Sequence, residues 1–384
     1  MVVVLLAVEW YFSISNVRAL MTIRFLILWI SACLAACGPT KPSAVQVQHP
    51  GQTPAGFLLV SGVAGPDDTG RFLAGMPVRR GATLSRLQQT GEYQAHHREM
   101  RALWRIAGTR SNIMRTWTEG ELSPVIGGGG TVLYPFGGPD LLYVSVLFPQ
   151  ARSYALMGLE PVGDVPALEA LPPGEVFAAL AGFRQAMRTE LAAGYYVTED
   201  MRSDLGRGVL QGVTPILLGT VALAGGQIES VGGISAGGKP GVAVRFRDAT
   251  GLRHSAFYVA GDLSNSGFDR AYRQWLSGLG NDVTYFKAAS YLMHDDRFSL
   301  ARDFFLSQSR VILQDDSGIP FRHFAQGWSL RFYGNYKRPI ELFAKHQQDD
   351  LRQAYATNPK GPLGFGSGYQ VGQWNGNLLL AVKQ

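Results

Sequence analysis

Hydrophobic and polar positions along this chain follow two different periods, and the change from one to the other marks a boundary. From Ser85 to Gly120, Leu87, Tyr93, His97, Met100, Leu103, Trp104 and Ile106 recur every three to four residues. That is the spacing of one helix face, with a break expected at Gly108. Past Gly127–Gly130 the pattern changes to short apolar runs separated by turn residues. Thr131–Phe136 predicts a strand, Gly137–Asp140 a turn, Leu141–Phe148 a short helix and Ser153–Leu159 a second strand. Pro172–Ala193 is the clearest helix, with Pro173 near its first position and Glu175 in its first turn. Val176, Leu180, Phe183, Met187 and Leu191 share one of its faces. Farther on, Gly241–Arg247 and His254–Val259 predict paired strands, and Phe268–Leu279 a helix closed by Gly280. Leu300–Ser307 predicts another helix and Arg310–Leu313 a buried strand. Strands and helices in alternation predict an α/β fold, one or more mixed sheets flanked by helices, behind an N-terminal helical layer.

Gly208–Ile228 carries no charge, yet its glycines, Gln211, Thr214 and Pro215 make it too polar and too broken for a membrane span. A buried strand plus helix is the expectation. At an offset of about 95 residues, Tyr196, Asp200, Arg202, Leu205, Arg207 and Leu218 fall without gaps on Tyr291, Asp295, Arg297, Leu300, Arg302 and Leu313. At a different offset, Tyr134-x-x-Gly137 is echoed by Tyr258-x-x-Gly261. These matches suggest two pseudo-repeated α/β halves, 120–228 and 229–384.

Composition narrows the class. With 46% hydrophobic and 17% charged residues over 384 positions, the chain can bury one large or two ordinary cores. The formal net charge of +6 is mild and scattered: Arg79-Arg80 and Lys337-Arg338 are isolated pairs. No basic stripe interleaved with aromatics exists, and no nucleic-acid partner is expected.

The N-terminal region carries an address. Met21, Arg24, the apolar run Phe25–Ile30 and Leu34-Ala35-Ala36-Cys37-Gly38 follow the layout of a positive region, an apolar core and small residues before a cut. This segment resembles a bacterial lipoprotein signal closed by a lipobox. The resemblance implies that Cys37 receives a diacylglyceryl group and becomes the first residue of the mature chain. Met1–Leu20 holds a second apolar run and Glu9, which suit no such signal, so an untranslated upstream extension over 1–20 is the expectation. The signal peptide then covers 21–36, and the lipidated Cys37 with a Pro-, Gln-, Ser- and Thr-rich tether covers 37–56. The α/β body covers 57–384. Two or three acyl chains hold a protein on a bilayer effectively permanently. The expected location is the bacterial cell envelope, and Gly38 after the cysteine points to the outer membrane, with the body facing the periplasm. Of the two cysteines, Cys33 leaves with the signal and Cys37 is consumed by lipid. No thiol remains for a disulfide, a metal site or a nucleophile.

Candidate chemistry is sparse, and no cofactor or metal is expected. Gly233-Ile234-Ser235-Ala236-Gly237 matches G-x-S-x-G, but Gly238-Lys239-Pro240-Gly241 cannot begin the helix a nucleophile elbow requires. A glycine-rich loop between strands is expected instead. Gly127–Gly130 lacks a following helix and reads as a flexible hairpin or lid. His96-His97 with Glu99 lacks metal-ligand spacing, and His97 is expected to pack among Tyr93, Met100 and Trp104. The strongest signals are carboxylates at the ends of apolar strands: Asp140, Glu160, Asp262, Asp315 and Asp316. In open α/β sheets those ends form the ligand crevice. Convergence would raise at least one pKa and supply a general acid or base, whereas the plainer reading is that each Asp caps a turn. Asp315 and Asp316 divide these roles in expectation, one capping Ser317-Gly318 and the other facing Asp140. His294 and His323 could complete such a site. Trp328, Phe332, Tyr333, Tyr336, Phe365, Tyr369 and Trp374 are either core or a surface for sugar, peptidoglycan or protein.

Leu133–Asp140, Gly158–Gly163 and Ile312–Pro320 resemble motifs of an uncharacterised group of predicted bacterial lipoproteins and secreted proteins. The resemblance implies one integrated α/β body and transfers no activity. Three functions follow as expectations: an envelope binding or assembly component with a polymer or protein partner, a lipid-anchored hydrolase or lyase working through Asp140, Glu160, Asp315, Asp316 or His294, and a small-molecule receptor.

Overall fold

A computed structural model describes residues 64–194, 196, 210–324, 327–370 and 376–384. Cys37, the signal, the tether and Trp374 lie outside the described residues, as do Asp200–Arg207 of the internal match. Helices α1 (Pro66–Leu73), α2 (Ala82–Leu87), α3 (Gly91–Trp117) and α4 (Ser123–Ile126) come first. The alternating part follows as β1 (Thr131–Tyr134), α5 (Leu141–Leu147), β2 (Ser153–Gly158), α6 (Pro173–Ala193) and α7 (Thr214–Leu223). Next come β3 (Gln227–Ala236), β4 (Lys239–Arg247), β5 (Arg253–Ala260), α8 (Arg270–Gly278), β6 (Asn281–Phe286), α9 (Ser299–Gln308) and β7 (Val311–Gln314). The chain ends with β8 (Trp328–Gly334), α10 (Asp349–Thr357), β9 (Lys360–Gly361) and β10 (Asn377–Lys383).

All ten strands form one mixed sheet, in the order β3-β4-β5-β2-β1-β6-β7-β10-β8-β9. Its middle five, β5-β2-β1-β6-β7, are parallel. Helices cover both faces, because successive strand residues point to opposite sides. Val132, Tyr134, Tyr154 and Leu156 enter a core with α1, α3, α5, α6 and α7. Leu133, Ala155, Met157 and Ile312 enter a second core with α8, α9 and α10. This two-sided burial explains why these strands read as unbroken apolar runs. The two expected halves are interleaved: β1 and β2 sit between β5 and β6. Leu218 lies in α7 and its partner by offset, Leu313, in β7, so the internal match is not carried into structure at that point.

Several local expectations need correction. Gly108 does not break the long helix, which runs from Gly91 to Trp117. The interruption falls earlier, at Gln88–Thr90, where Thr90 caps α3 by accepting from the Tyr93 amide (3.3 Å). A helical glycine costs only about 1 kcal/mol, and buried Ala107, Ser111 and Met114 around it offset that. Gly127–Gly130 is a pinned entry to β1 and not a lid, since the Gly129 amide donates to Gln150 and the Gly130 carbonyl accepts from Arg152, each at 2.9 Å. Gly208–Ile228 supplies no buried strand before its helix among the described residues: α7 is buried at all ten positions, and β3 starts at Gln227. The G-x-S-x-G segment is itself the end of β3, with exposed Ser235 opposite Pro240 across a hairpin.

Of the two histidines of α3, His96 is the one that packs in the core, and not His97 as expected. His96 is fully buried, and His97 reaches the Gly75 carbonyl with Nδ1 (2.6 Å). Arg184 donates to His96 Nδ1 (3.0 Å), so Nε2 carries the proton and donates to the Leu73 carbonyl (2.9 Å). Burial, above all, pushes the His96 imidazole down to about 4. A depressed folded-state pKa gives stability that is present above pH 6.5 and lost as pH falls through 4, here about 3 kcal/mol. Urea midpoints should therefore fall between pH 7 and pH 4, and His96→Gln should flatten that part of the profile. An unchanged profile in the variant would refute the assignment.

Candidate functional site

Strand order fixes where a site belongs. From β1 the chain crosses through α5 to β2 on one side, and β6 later arrives on the other side, so β1 and β6 flank the topological switch point. Just past their carboxyl ends stand Phe136 (φ 60°) and Ala288 (φ 63°), the two described non-glycine residues with left-handed backbone. Such conformations cost free energy and persist where surrounding contacts impose them. Phe136 lies in the turn that leads to Asp140, and Ala288 directly follows Lys287.

Asp140 caps the helix that follows it, the plainer of its two expected readings. Its Oδ1 caps α5 by accepting from the Tyr143 amide (3.2 Å), and its Oδ2 accepts from the Tyr134 hydroxyl (2.7 Å) and pairs with Lys287. Lys287 Nζ also donates to the Gly194 carbonyl (2.7 Å) and lies 4.8 Å from the centre of the Tyr143 ring. Glu190 of α6 completes the group. Burial, reinforced by the Asp140 charge, pushes the Glu190 carboxyl well above its ordinary range. Neither of its carboxyl oxygens has a hydrogen-bond partner among the described residues. Asp140, Glu190 and Lys287 are 2%, 0% and 5% exposed. They form a closed unit of two carboxyl groups and one amino group.

The other carboxylates are held separately along the same rim. Glu160, after β2, turns Oε2 onto the Leu159 amide (3.1 Å) and the Tyr258 hydroxyl (3.0 Å). Asp315, after β7, caps the Ser317 turn with Oδ1 and takes the strained Ala288 amide on Oδ2 (3.0 Å). Asp316 accepts from Tyr291 (2.6 Å) and from Asn377 at the start of β10 (2.9 Å). The expected facing of Asp140 and Asp316 is corrected by these partners: Asp316 turns to the β10 side, because Asn377 and Tyr291 supply donors there. Burial and then the Asp316 charge push the Asp315 carboxyl up to about 7, and burial raises Asp316 as well. The repulsion expected of adjacent carboxylates is present. Glu160, Asp315 and Asp316 are all buried, so the convergent open acidic cleft does not form. Asp262 stays exposed, closing a turn with Ser264.

No family model, curated protein or solved structure matches this chain. Among the described residues, no group of three or more metal-ligating side chains forms, and no helix is long and apolar enough to cross a membrane.

His294 belongs to a different place. Tyr291 stacks on Phe343 (4.3 Å between ring centres) and on His346 (5.2 Å), and His294 meets His346 edge-on at 5.0 Å. Beside these rings opens a polar cavity of about 410 Å³, lined by His294, Arg322, Lys345, His346 and the Gln347–Asp350 run. Burial pushes the His294 imidazole down to about 3, against the weaker pull of the Gly318 carbonyl, and its Nε2 has no hydrogen-bond partner. His323 does not line this cavity. The C-terminal aromatics Phe332, Tyr333, Tyr336 and Phe365 are buried core, which leaves no open platform of these rings.

Sequence reasoning missed Lys287, Glu190, Arg322 and Lys345. Glu190 was detectable as a carboxylate on the apolar face of α6, between Met187 and Leu191. Lys287 follows a strand whose polar Asn281, Asp282 and Thr284 mask it.

Proposed function

We propose that this protein is a lipid-anchored component of the bacterial envelope that binds its ligand and leaves it chemically unchanged. The observation that carries the second part is the state of the rim: Asp140, Glu160, Asp315 and Asp316 are each buried and engaged by donors of their own chain. General acid–base work through these carboxyl groups needs them within hydrogen-bond reach of the substrate. The cavity beside His294 is where a ligand enters, with charged groups at the mouth and an aromatic stack alongside. Attachment follows from the lipobox at Cys37, and the tether 38–56 gives the body reach from the bilayer.

Two measurements test the reading. Wild-type protein should require detergent for extraction and fractionate with the outer membrane, while Cys37→Ala should be unprocessed or extracted by buffer. A Cys37→Ala form that still needs detergent, or a wild type that is freely soluble, sinks the anchor. Incubated with purified cell-wall polymer, the protein should release no new ends above background. Release that Asp315→Asn or Asp140→Asn abolishes would restore the hydrolase reading.

A further inference from the structure

We propose that the outer edge of β3 is an interface between two copies of this chain, which pair β3 to β3, antiparallel, about a two-fold axis at Gly233. This inference goes beyond the binding reading above and does not depend on it.

The sheet has two outer strands, β3 and β9. Strand β9 is only Lys360–Gly361, and a short edge carrying a lysine is a blunt one. Strand β3 runs ten residues, and both of its ends fix which groups face outward. Gly237 (φ +59°) and Gly238 (φ +89°) make the two-residue turn into β4, so the flanking Ala236 and Lys239 exchange hydrogen bonds across the hairpin. Bonded and outward positions then alternate back along the strand: Ile234 and Gly232 face β4, while Ser235, Gly233 and Val231 turn N–H and C=O outward. At the start of β3, beyond the bulge at Glu229, the Ile228 amide also points outward and is taken by Asp67 Oδ1 (2.9 Å). No such cap reaches Val231, Gly233 or Ser235 among the described residues. From Ser230 to Gly238 there is no charge and no proline, the usual guards of an exposed edge.

A second copy fits this edge. In the register that sets Gly233 against its counterpart, Val231 opposes Ser235 of the second copy and Ile234 opposes its Gly232. Every outward N–H then meets an outward C=O of the other copy. Each larger side chain lies against a glycine or a serine, and no like charges face each other. Gly232 and Gly233 are exposed, and a Cβ on either would meet no atom within 4 Å, so the approach is open. This match of the edge to its own reverse selects a second copy as the occupant, because a two-fold uses one patch on both sides.

The test is sedimentation equilibrium of the full-length protein in density-matched detergent, across the micromolar range. We expect the wild type to give the mass of two chains. Gly233→Lys and Gly233→Glu each set like charges face to face, at the roughly 5.5 Å of a bonded cross-strand pair, and each should weaken self-association about tenfold or more. Both variants should keep the wild-type circular dichroism, because Gly233 lacks left-handed backbone and its Cβ position is open. An equimolar mixture of the two variants should recover the two-chain mass, since opposite charges then meet across the axis. A folding defect would not be repaired by mixing. A monomeric wild type overturns the inference and leaves the edge to a strand of another protein. Dimers that tolerate both substitutions overturn it by placing self-association on another surface, as does a mixture that stays monomeric.

Discussion

Replacing Lys287 with methionine is expected to cost the fold roughly 3–5 kcal/mol, the usual loss when one partner of a buried ion pair is removed. The ammonium is the counter-charge to Asp140 in a group that is closed to water, and it also satisfies the Gly194 carbonyl. Without it, Asp140 loses its ion-pair partner while still buried beside Glu190. The double variant Asp140→Asn with Lys287→Met should recover more than half of that loss. An asparagine oxygen can still cap the Tyr143 amide, while the amide nitrogen in place of Oδ2 can donate to the Tyr134 hydroxyl oxygen, and the uncompensated charge is gone. Urea unfolding of the two single variants and the double variant forms a cycle that isolates the pair. Additive single losses would mean that the two groups do not act as a unit.

The second large effect belongs to Gly163→Ala. Gly163 has φ +68°, and an added Cβ would fall on the Gln211 carbonyl oxygen, with the Gly212 Cα at 3.0 Å. The two segments cannot separate freely. The Pro161 carbonyl accepts from the Val213 amide and the Val162 carbonyl from the Thr214 amide, each at 3.0 Å, and the Thr214 hydroxyl reaches Gly163. These contacts tie the rim after β2 to the start of the fully buried helix α7. Left-handed strain and displaced backbone together should remove about 3 kcal/mol or more. Gly128→Ala is the control: its Cβ would meet only the Gln150 side chain, at 4.0 Å, and the change should stay within about 0.5 kcal/mol. Equal melting temperatures for the two variants would refute the account.

Legibility in the sequence followed burial. Helix α6 was readable nearly to its ends because one face is apolar and Pro173 and Gly194 punctuate it. Strands β1, β2 and β7 were readable because both of their faces are covered. Strands β6, β8 and β10 were missed. Thr284 is buried in β6 by pairing with the Ser309 hydroxyl (2.6 Å), a polar position that pattern alone assigns to a surface. In β8, Ser329 and Arg331 alternate with Leu330 and Phe332 among many other aromatics. Missing β6 hid Lys287, and without it Asp140 looked like a member of an acidic cleft and not one half of a pair. The individual carboxylates were found because a charge at the end of an apolar run is conspicuous. Their partners come from distant segments, such as Tyr258 for Glu160 and Asn377 for Asp316, and no local pattern records those meetings.

The place of β10 sets the order in which the molecule can be completed. The final strand, Asn377–Lys383, slides between β7 and β8, antiparallel to both, and bonds along its two edges at once. Until β10 is in place, β7 and β8 each keep an unpaired edge and the layer over Leu378 and Leu380 stays open. Every other strand of the sheet is made before β10, so the sheet closes around a strand that is synthesised after both of its neighbours.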